Sequence, residues 1–214
     1  MVSVNFLLLL LMFPPLILTA LLLERSARKI LLFLLLGMFT AFLSGQINTL
    51  LINGTDITSF DASIHYIPVI EEFLKAFPVV AYIFALCPKR REVIGYAASI
   101  GLGFAFFENI WAFTQSIYGV PSIEDVSFVM SRGLGASMMH SLCTVILVYG
   151  IFICMKWRKL LFTGTFAFFS LACLFHSLFN VLIGSERSVL AFVLTLGTYA
   201  LVLLLFKRSK KFLD

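Results

Sequence analysis

Residues 64–86 read IHYIPVIEEFLKAFPVVAYIFAL, a run long enough to cross a lipid bilayer as a helix. Three charged residues, Glu71, Glu72 and Lys75, lie within it. A charged side chain at membrane depth costs roughly 2.5–3.5 kcal/mol on insertion scales, so a group of three requires a compensating role. Spacings of three and four residues put both carboxylates within reach of the lysine, which we expect chiefly as their counter-ion. The segment therefore predicts a membrane helix that carries part of a buried polar site.

The rest of the chain extends this prediction to a whole membrane protein. Of 214 residues, 61% are hydrophobic and 13% are charged, a composition typical of an integral membrane protein with little soluble mass. We predict an all-α, polytopic membrane helix bundle of about seven transmembrane helices, forming a single domain over residues 1–214. The predicted spans are 5–23, 30–52, 64–86, 94–118, 134–155, 160–183 and 188–206.

The basic residues predict the orientation of this bundle. Thirteen of the 16 lysines and arginines lie in alternate connections and in the tail, at 25–29, 89–91, 156–159 and 207–211. Because basic loops stay on the cytoplasmic side, the N-terminus is predicted outside and the C-terminus in the cytoplasm. The same asymmetry accounts for the net charge of +5 without a basic, aromatic-rich soluble face for nucleic acid. We therefore expect membrane lipid, and no nucleic acid, among the partners.

Four further polar residues, Glu108, His140, His176 and Asn180, lie inside later spans. With a helical rise of about 1.5 Å per residue, Glu72 and the first three of these lie about 9–15 Å below the outer surface. Their helices run in alternate directions, so the sequence does not force this common depth. His176 and Asn180 are four residues apart and share a helix face. The shared depth predicts one site in the outer half of the membrane.

The residue types in this predicted site are suited to hydrolysis. A carboxylate beside imidazoles can act as a general base toward water, and a second imidazole or the Asn180 amide can stabilise an oxyanion. Alternatively, Glu72, Glu108, His140 and His176 form a mixed carboxylate and imidazole set suited to a divalent metal, with zinc the best match. Both versions activate a water molecule, and we favour the version with metal.

Two other functions would use the same residues. Intramembrane Glu, Lys and His residues also form relays, so a proton- or ion-coupled transporter is the main alternative. Many such transporters have inverted repeats and broken helices at the midplane, and neither is evident in this sequence. Haem ligation by His140 and His176 is disfavoured by the neighbouring glutamates. An intramembrane aspartyl protease is disfavoured because the aspartates fall in loops or the tail, at Asp56, Asp61, Asp125 and Asp214.

In its polar motifs the chain resembles the PrsW family of intramembrane proteases, which is related to the type II CAAX prenyl endopeptidases. The motifs are Glu71-Glu72-Phe73-Leu74-Lys75, Phe104-x-x-x-Glu108, His140 and His176-x-x-x-Asn180. The resemblance implies a multi-pass protease of the bacterial plasma membrane. Its implied substrate is a single-span, membrane-anchored anti-sigma factor, cut near the outer side as the first step of regulated intramembrane proteolysis in a stress response.

The resemblance also implies roles for individual residues. By analogy with the CAAX branch, Glu71 would activate water, and His176 with Asn180 would stabilise the oxyanion. Glu108 stands where that branch has a histidine, and Lys75 stands where it has an arginine. Prenylated proteins are not implied as substrates. The predicted catalytic set is Glu71, Glu72, Lys75, His176 and Asn180.

Overall fold

The computed structural model describes residues 14–116 and 123–208, with side chains over 14–112 and 133–205. These residues form helices and, within the described ranges, no strand, so the predicted all-α class is confirmed. The helices are α1 (14–22), α2 (Arg25–Asn53), α3 (Ser59–His65), α4 (Ile67–Leu86), α5 (Arg90–Ser116), α6 (Ile123–Lys156), α7 (Leu161–Gly184) and α8 (Ser188–Arg208). Residues 5–13 of the first predicted span and the end of the basic tail lie outside the described residues.

Five of the described helices, α2, α5, α6, α7 and α8, are long and apolar enough to cross a membrane. Helix α4 has 20 residues, the length of a membrane span, but it carries three charged residues within that length and is not among the five. The full count of seven spans and the orientation of the termini stay predictions.

The predicted span 64–86 is divided in the structure. The short helix α3 ends at His65, and α4 begins at Ile67 with Pro68 in its first turn. Proline has no N–H and restricts the residue before it, so it favours a new helix start over a continuous helix. At the other end of α3, Thr58 accepts a hydrogen bond from the Asp61 backbone N–H and caps the helix. The α3 segment therefore forms a separate short element beside the start of α4.

Close backbone contacts at two glycines join α5 to α2 and to α6. Gly103 of α5 lies directly against the backbone of Leu34 in α2, where a Cβ would overlap a carbonyl. Gly101 lies in the same way against the backbone of His140 in α6. Small residues let membrane helices approach this closely. As a result, Glu108, two turns further along α5, is brought near the polar face of α6.

Helix α4 packs against four of the longer helices, α2, α5, α6 and α7. Its first half bears the charged residues, and these are buried, with Lys75 fully enclosed. Its second half packs through Val79 and Ile83 into a large apolar cluster with α2, α5 and α6. The candidate site therefore forms where the first half of α4 meets the surrounding helices.

Candidate active site

The α4 charges begin a continuous chain of polar contacts. Lys75 Nζ lies 2.6 Å from Glu72 Oε1, and both side chains are buried. The ammonium group also lies 4.8 Å from the centroid of the Phe104 ring, a favourable position for a buried cation. Lys75 thus lies where a counter-ion to the glutamates was expected.

His140 of α6 continues the chain toward α5. Its Nδ1 lies 2.8 Å from Lys75 Nζ, and its Nε2 lies 2.7 Å from Glu108 Oε2. Because an ammonium group only donates, Nδ1 accepts from Lys75, and the Nε2 proton is directed at Glu108. Residues of three helices are therefore linked in the order Glu72, Lys75, His140, Glu108.

His176 of α7 approaches α4 from another side. Its Nδ1 lies 2.8 Å from Glu72 Oε1, so the Nδ1 proton is donated to this carboxylate and the lone pair is on Nε2. That Nε2 atom lies 3.7 Å from Glu71 Oε2, beyond hydrogen-bond distance. The His140 and His176 rings are in edge contact, with centroids 4.9 Å apart. This contact leaves no room for a haem between the two histidines.

Glu71 has a partner that the sequence motifs did not include. Asn48 of α2 donates from Nδ2 to Glu71 Oε1 over 3.4 Å and to Ser44 Oγ over 3.1 Å. The other carboxylate oxygen, Glu71 Oε2, has no hydrogen-bond partner among the described residues. The available signal was a pair of polar residues four apart in an apolar span, Ser44 and Asn48, which would face one side of α2.

Three buried residues have the arrangement required of metal ligands. One ligand atom each of Glu71, His140 and His176 lies within 4.8 Å of the others. The unpaired Glu71 oxygen and the free Nε2 of His176 are donors suited to a divalent cation, and a carboxylate on the other histidine nitrogen is usual at metal sites. These three residues are therefore suited to hold a divalent metal ion.

The composition of this group differs from the predicted ligand set. Glu71 supplies its carboxylate, whereas Glu72 and Glu108 were predicted. In the structure these two carboxylates are hydrogen-bonded to the histidines of the group instead: Glu72 contacts His176, and Glu108 contacts His140. Glu71 and Glu72 are adjacent, so they diverge around the helix, and Lys75 three residues on engages Glu72.

A cavity of about 370 Å³ lies against this group. Its polar wall includes Glu71, Glu108, His176 and Asn180, and much of the remaining wall is apolar or aromatic. A mostly apolar cleft with a few convergent polar groups is the usual form of a ligand site. Space for a substrate segment is therefore available beside the candidate ligands.

Asn180 and its neighbour Ser177 fasten the end of α3 to α7. Asn180 Nδ2 donates to the Ser63 carbonyl over 2.8 Å, and Ser177 Oγ donates to the Ile64 carbonyl over 2.7 Å. Asn180 also lines the cavity, one helical turn from His176. All seven polar residues singled out in the sequence thus lie around one site.

The comparisons with known proteins agree with this architecture. The family model described as PrsW family intramembrane metalloprotease matches residues 25–206, a range that includes every residue of the site. No curated protein and no solved structure matches the chain. With a family match over most of its length and a buried Glu and His group inside a membrane bundle, the chain belongs to the PrsW family of intramembrane metalloproteases.

Proposed function

We propose that this protein is an endopeptidase of the bacterial plasma membrane that cuts a single-span membrane protein near the outer side, with Glu71, His140 and His176 as metal ligands. The buried group of these three residues beside a cavity is the observation that carries the proposal. The family match supports a protease embedded among lipids and acting on a membrane protein. The same group favours a hydrolase over an ion-coupled transporter.

Zinc is the proposed metal because carboxylate and imidazole donors with an open position are typical of catalytic zinc sites. When bound, such an ion supplies Lewis-acid activation of water and of the scissile carbonyl. Glu72 then acts as a positioning residue, because its hydrogen bond to Nδ1 of His176 fixes the ring and leaves Nε2 with a lone pair. This role replaces the ligand role predicted for Glu72.

His140 becomes a ligand through a shift of protons along its own hydrogen bonds. On metal binding the Nε2 proton would pass to Glu108 Oε2, and Nδ1 would share the proton that Lys75 donates, so Nε2 could ligate while Lys75 stays beside Glu72 as its counter-ion. The total charge of the three residues does not change. Glu108 then holds a proton while its side chain, 25% exposed, lines the cavity. We assign Glu108 as the acid that protonates the leaving amine.

Asn180 is the proposed donor to the oxyanion of the tetrahedral intermediate. Its Nδ2 carries two hydrogens, and one is donated to the Ser63 carbonyl. The side chain lines the cavity, so the second hydrogen is available for a substrate carbonyl. His176, the other residue implied in this role, serves as a metal ligand.

The proposed substrate class is a membrane-anchored anti-sigma factor, and the cut is the first step of regulated proteolysis in a stress response. The family resemblance and the predicted position of the site in the outer half of the membrane support this class. A topology experiment tests that position directly. A reporter after Asp214 should be cytoplasmic, and one near Asp56 should be external, because the basic connections are predicted to face the cytoplasm. A reporter result with an external C-terminus would exclude an outer site.

The activity is tested with purified protein in vesicles and candidate single-span anti-sigma factors, with and without a metal chelator. Cleavage should be lost on chelation and restored by zinc. Glu71→Gln should be inactive, whereas Glu24→Gln, a change at an exposed glutamate outside the site, should cleave normally. Full cleavage by folded Glu71→Gln would reject the proposed site.

A further inference from the structure

Asn48 is a buried polar residue that lies beside the candidate ligands but outside the motifs. It is on α2, is 9% exposed and lines the cavity together with Glu71 and His176. Its amide contacts Glu71 across 23 residues of sequence. A buried amide in an apolar helix is costly unless its polar groups are hydrogen-bonded, so we consider the partners of its nitrogen and its oxygen in turn.

The orientation of the Asn48 amide is set by its neighbours. Nδ2 carries two hydrogens and lies within hydrogen-bond distance of two acceptors, Ser44 Oγ at 3.1 Å and Glu71 Oε1 at 3.4 Å. The Ser44 hydroxyl can accept or donate, so Glu71 decides the orientation: as a metal ligand it is ionised, and the reversed amide would place Oδ1 against its carboxylate, where two acceptors repel. The contacts therefore fix Nδ2 toward Glu71 and Oδ1 away from it.

The Asn48 carbonyl oxygen is left without a partner. Oδ1 is buried and has no hydrogen-bond donor among the described residues. An unpaired buried acceptor costs roughly 1–3 kcal/mol, and the cavity beside it is where a donor would enter. A peptide segment that reaches Glu71 and His176 must pass through this cavity, and its backbone carries N–H donors. The unpaired oxygen and the expected occupant are thus chemically complementary.

We propose that Asn48 is a positioning and substrate-binding residue of this site: its amide nitrogen holds the Glu71 carboxylate, and its carbonyl oxygen accepts a backbone N–H from the peptide being cut. This inference rests on the proposed function. It adds a subsite for the substrate main chain, on a helix that none of the family motifs includes. Recognition at this point is independent of the substrate side chain.

The two contacts predict two separate effects of losing the amide. A residue that orients a metal ligand typically changes metal affinity by about 10–100-fold. A lost hydrogen bond to the substrate changes binding by about tenfold. Asn48→Ala should therefore weaken zinc binding and, at saturating zinc, should raise KM more than it lowers kcat.

The experiment uses the full chain in detergent or vesicles. Zinc affinity is measured by competition with a chromogenic chelator, which needs no activity. Cleavage is measured on a peptide around the mapped cut and on analogues in which one non-scissile amide at a time is replaced by an ester. One ester should lower wild-type kcat/KM about tenfold and leave Asn48→Ala unaffected, because the variant lacks the acceptor.

Asn109→Ala is a matched control. Asn109 of α5 also donates from Nδ2 to a serine, Ser137 Oγ at 3.5 Å, and its Oδ1 is likewise buried without a described partner. It makes no described contact with Glu71, so zinc affinity and the ester response should stay at wild-type values. If Asn48→Ala does not fold, Asn48→Leu keeps the volume in an apolar helix and should give the same two losses.

The outcomes separate this inference from the proposed function. Wild-type zinc affinity and an unchanged ester response in a folded Asn48 variant, together with an inactive Glu71→Gln, would overturn the role of Asn48 alone. Full cleavage by Glu71→Gln would overturn the proposed site and the inference with it. An equal loss in Asn109→Ala would mark the effect as general destabilisation and would also overturn the inference.

Discussion

The two halves of α4 lie in opposite environments. In the first half, Glu71, Glu72 and Lys75 meet polar atoms from α2, α6 and α7. In the second half, Val79 and Ile83 are fully buried among apolar side chains of α2, α5 and α6. One helix therefore makes polar contacts along one half and apolar contacts along the other, so changes in activity and in stability should separate by position.

The polar contacts near the second half of α4 lie at the edge of an aromatic group. Phe33, Tyr82 and Tyr96 form an aromatic group, with the Phe33 and Tyr96 rings stacked at 4.7 Å. Lys29 donates to the Tyr82 hydroxyl over 2.9 Å at the edge of this group. These groups fasten α2 to α4 and α5, and no cavity of the candidate site reaches them.

The largest expected effect tests the proposed metal ligands around the first half of α4. His140→Ala and His176→Ala should each lose bound zinc and lower cleavage by roughly 10²–10⁴-fold, because two remaining protein donors do not complete a catalytic zinc site. Elemental analysis and cleavage rates of the same samples measure both losses. His65→Ala, at an exposed position on α3, is the control and should match wild type. Activity that survives full removal of metal would instead support Glu71 as a general base without metal.

The next effect would show that the polar first half of α4 also contributes to stability. Lys75→Met should lower the unfolding free energy by about 3–5 kcal/mol, because Glu72 would be left as an uncompensated buried charge. The double variant Glu72→Gln with Lys75→Met should regain most of this stability without regaining activity. Unfolding in denaturant, followed by fluorescence, measures both variants. A single variant as stable as wild type would mean that the ion pair does not hold this half together.

A smaller effect concerns access to the site. Gly45 lines the cavity, and a Cβ there would meet nothing within 4 Å. Gly45→Leu should fold normally and raise KM about tenfold, because the new side chain occupies space for the substrate. Gly197→Leu adds the same group at an equally open position on α8, outside the cavity, and should cleave normally. Equal kinetics for the two variants would place the substrate path elsewhere.

The smallest effect belongs to the second half. Tyr82→Phe keeps the ring and removes only the hydroxyl that accepts from Lys29, so we expect a loss of about 0.5–1.5 kcal/mol in stability. Cleavage at saturating substrate should be unchanged. A thermal shift assay and a cleavage rate measured on the same preparation test both expectations. A large loss of activity would show that the second half of α4 also affects cleavage.

The membrane helices and the shared polar site were predictable because both depend on composition and on spacing along single helices. The hydrophobic runs reproduce α2 and α5 to α8 approximately, and a common depth was enough to group Glu72, Glu108, His140 and His176. The boundary at Tyr66 was missed because the long hydrophobic run outweighed the signal of Pro68.

The partners within the site were not predictable in the same way. Which of Glu71 and Glu72 meets a given histidine depends on how α6 and α7 are rotated around α4. Contacts such as that of Gly101 with the His140 backbone set this rotation, and they join residues distant in sequence. Asn48 was missed for the same reason. Its contact with Glu71 depends on how α2 packs against α4, and the sequence does not show this packing.

The ion pair within α4 bears on how the chain enters the membrane during synthesis. Lys75 precedes His140 by 65 residues, and Glu72 precedes His176 by 104. At about 5–20 residues per second, the ribosome needs roughly 3–13 s to add His140 after Lys75. During that interval Glu72 has its partner within the same helix, three residues away. The nascent helix can therefore enter the bilayer with one of its carboxylates already neutralised, before the histidines that complete the site exist.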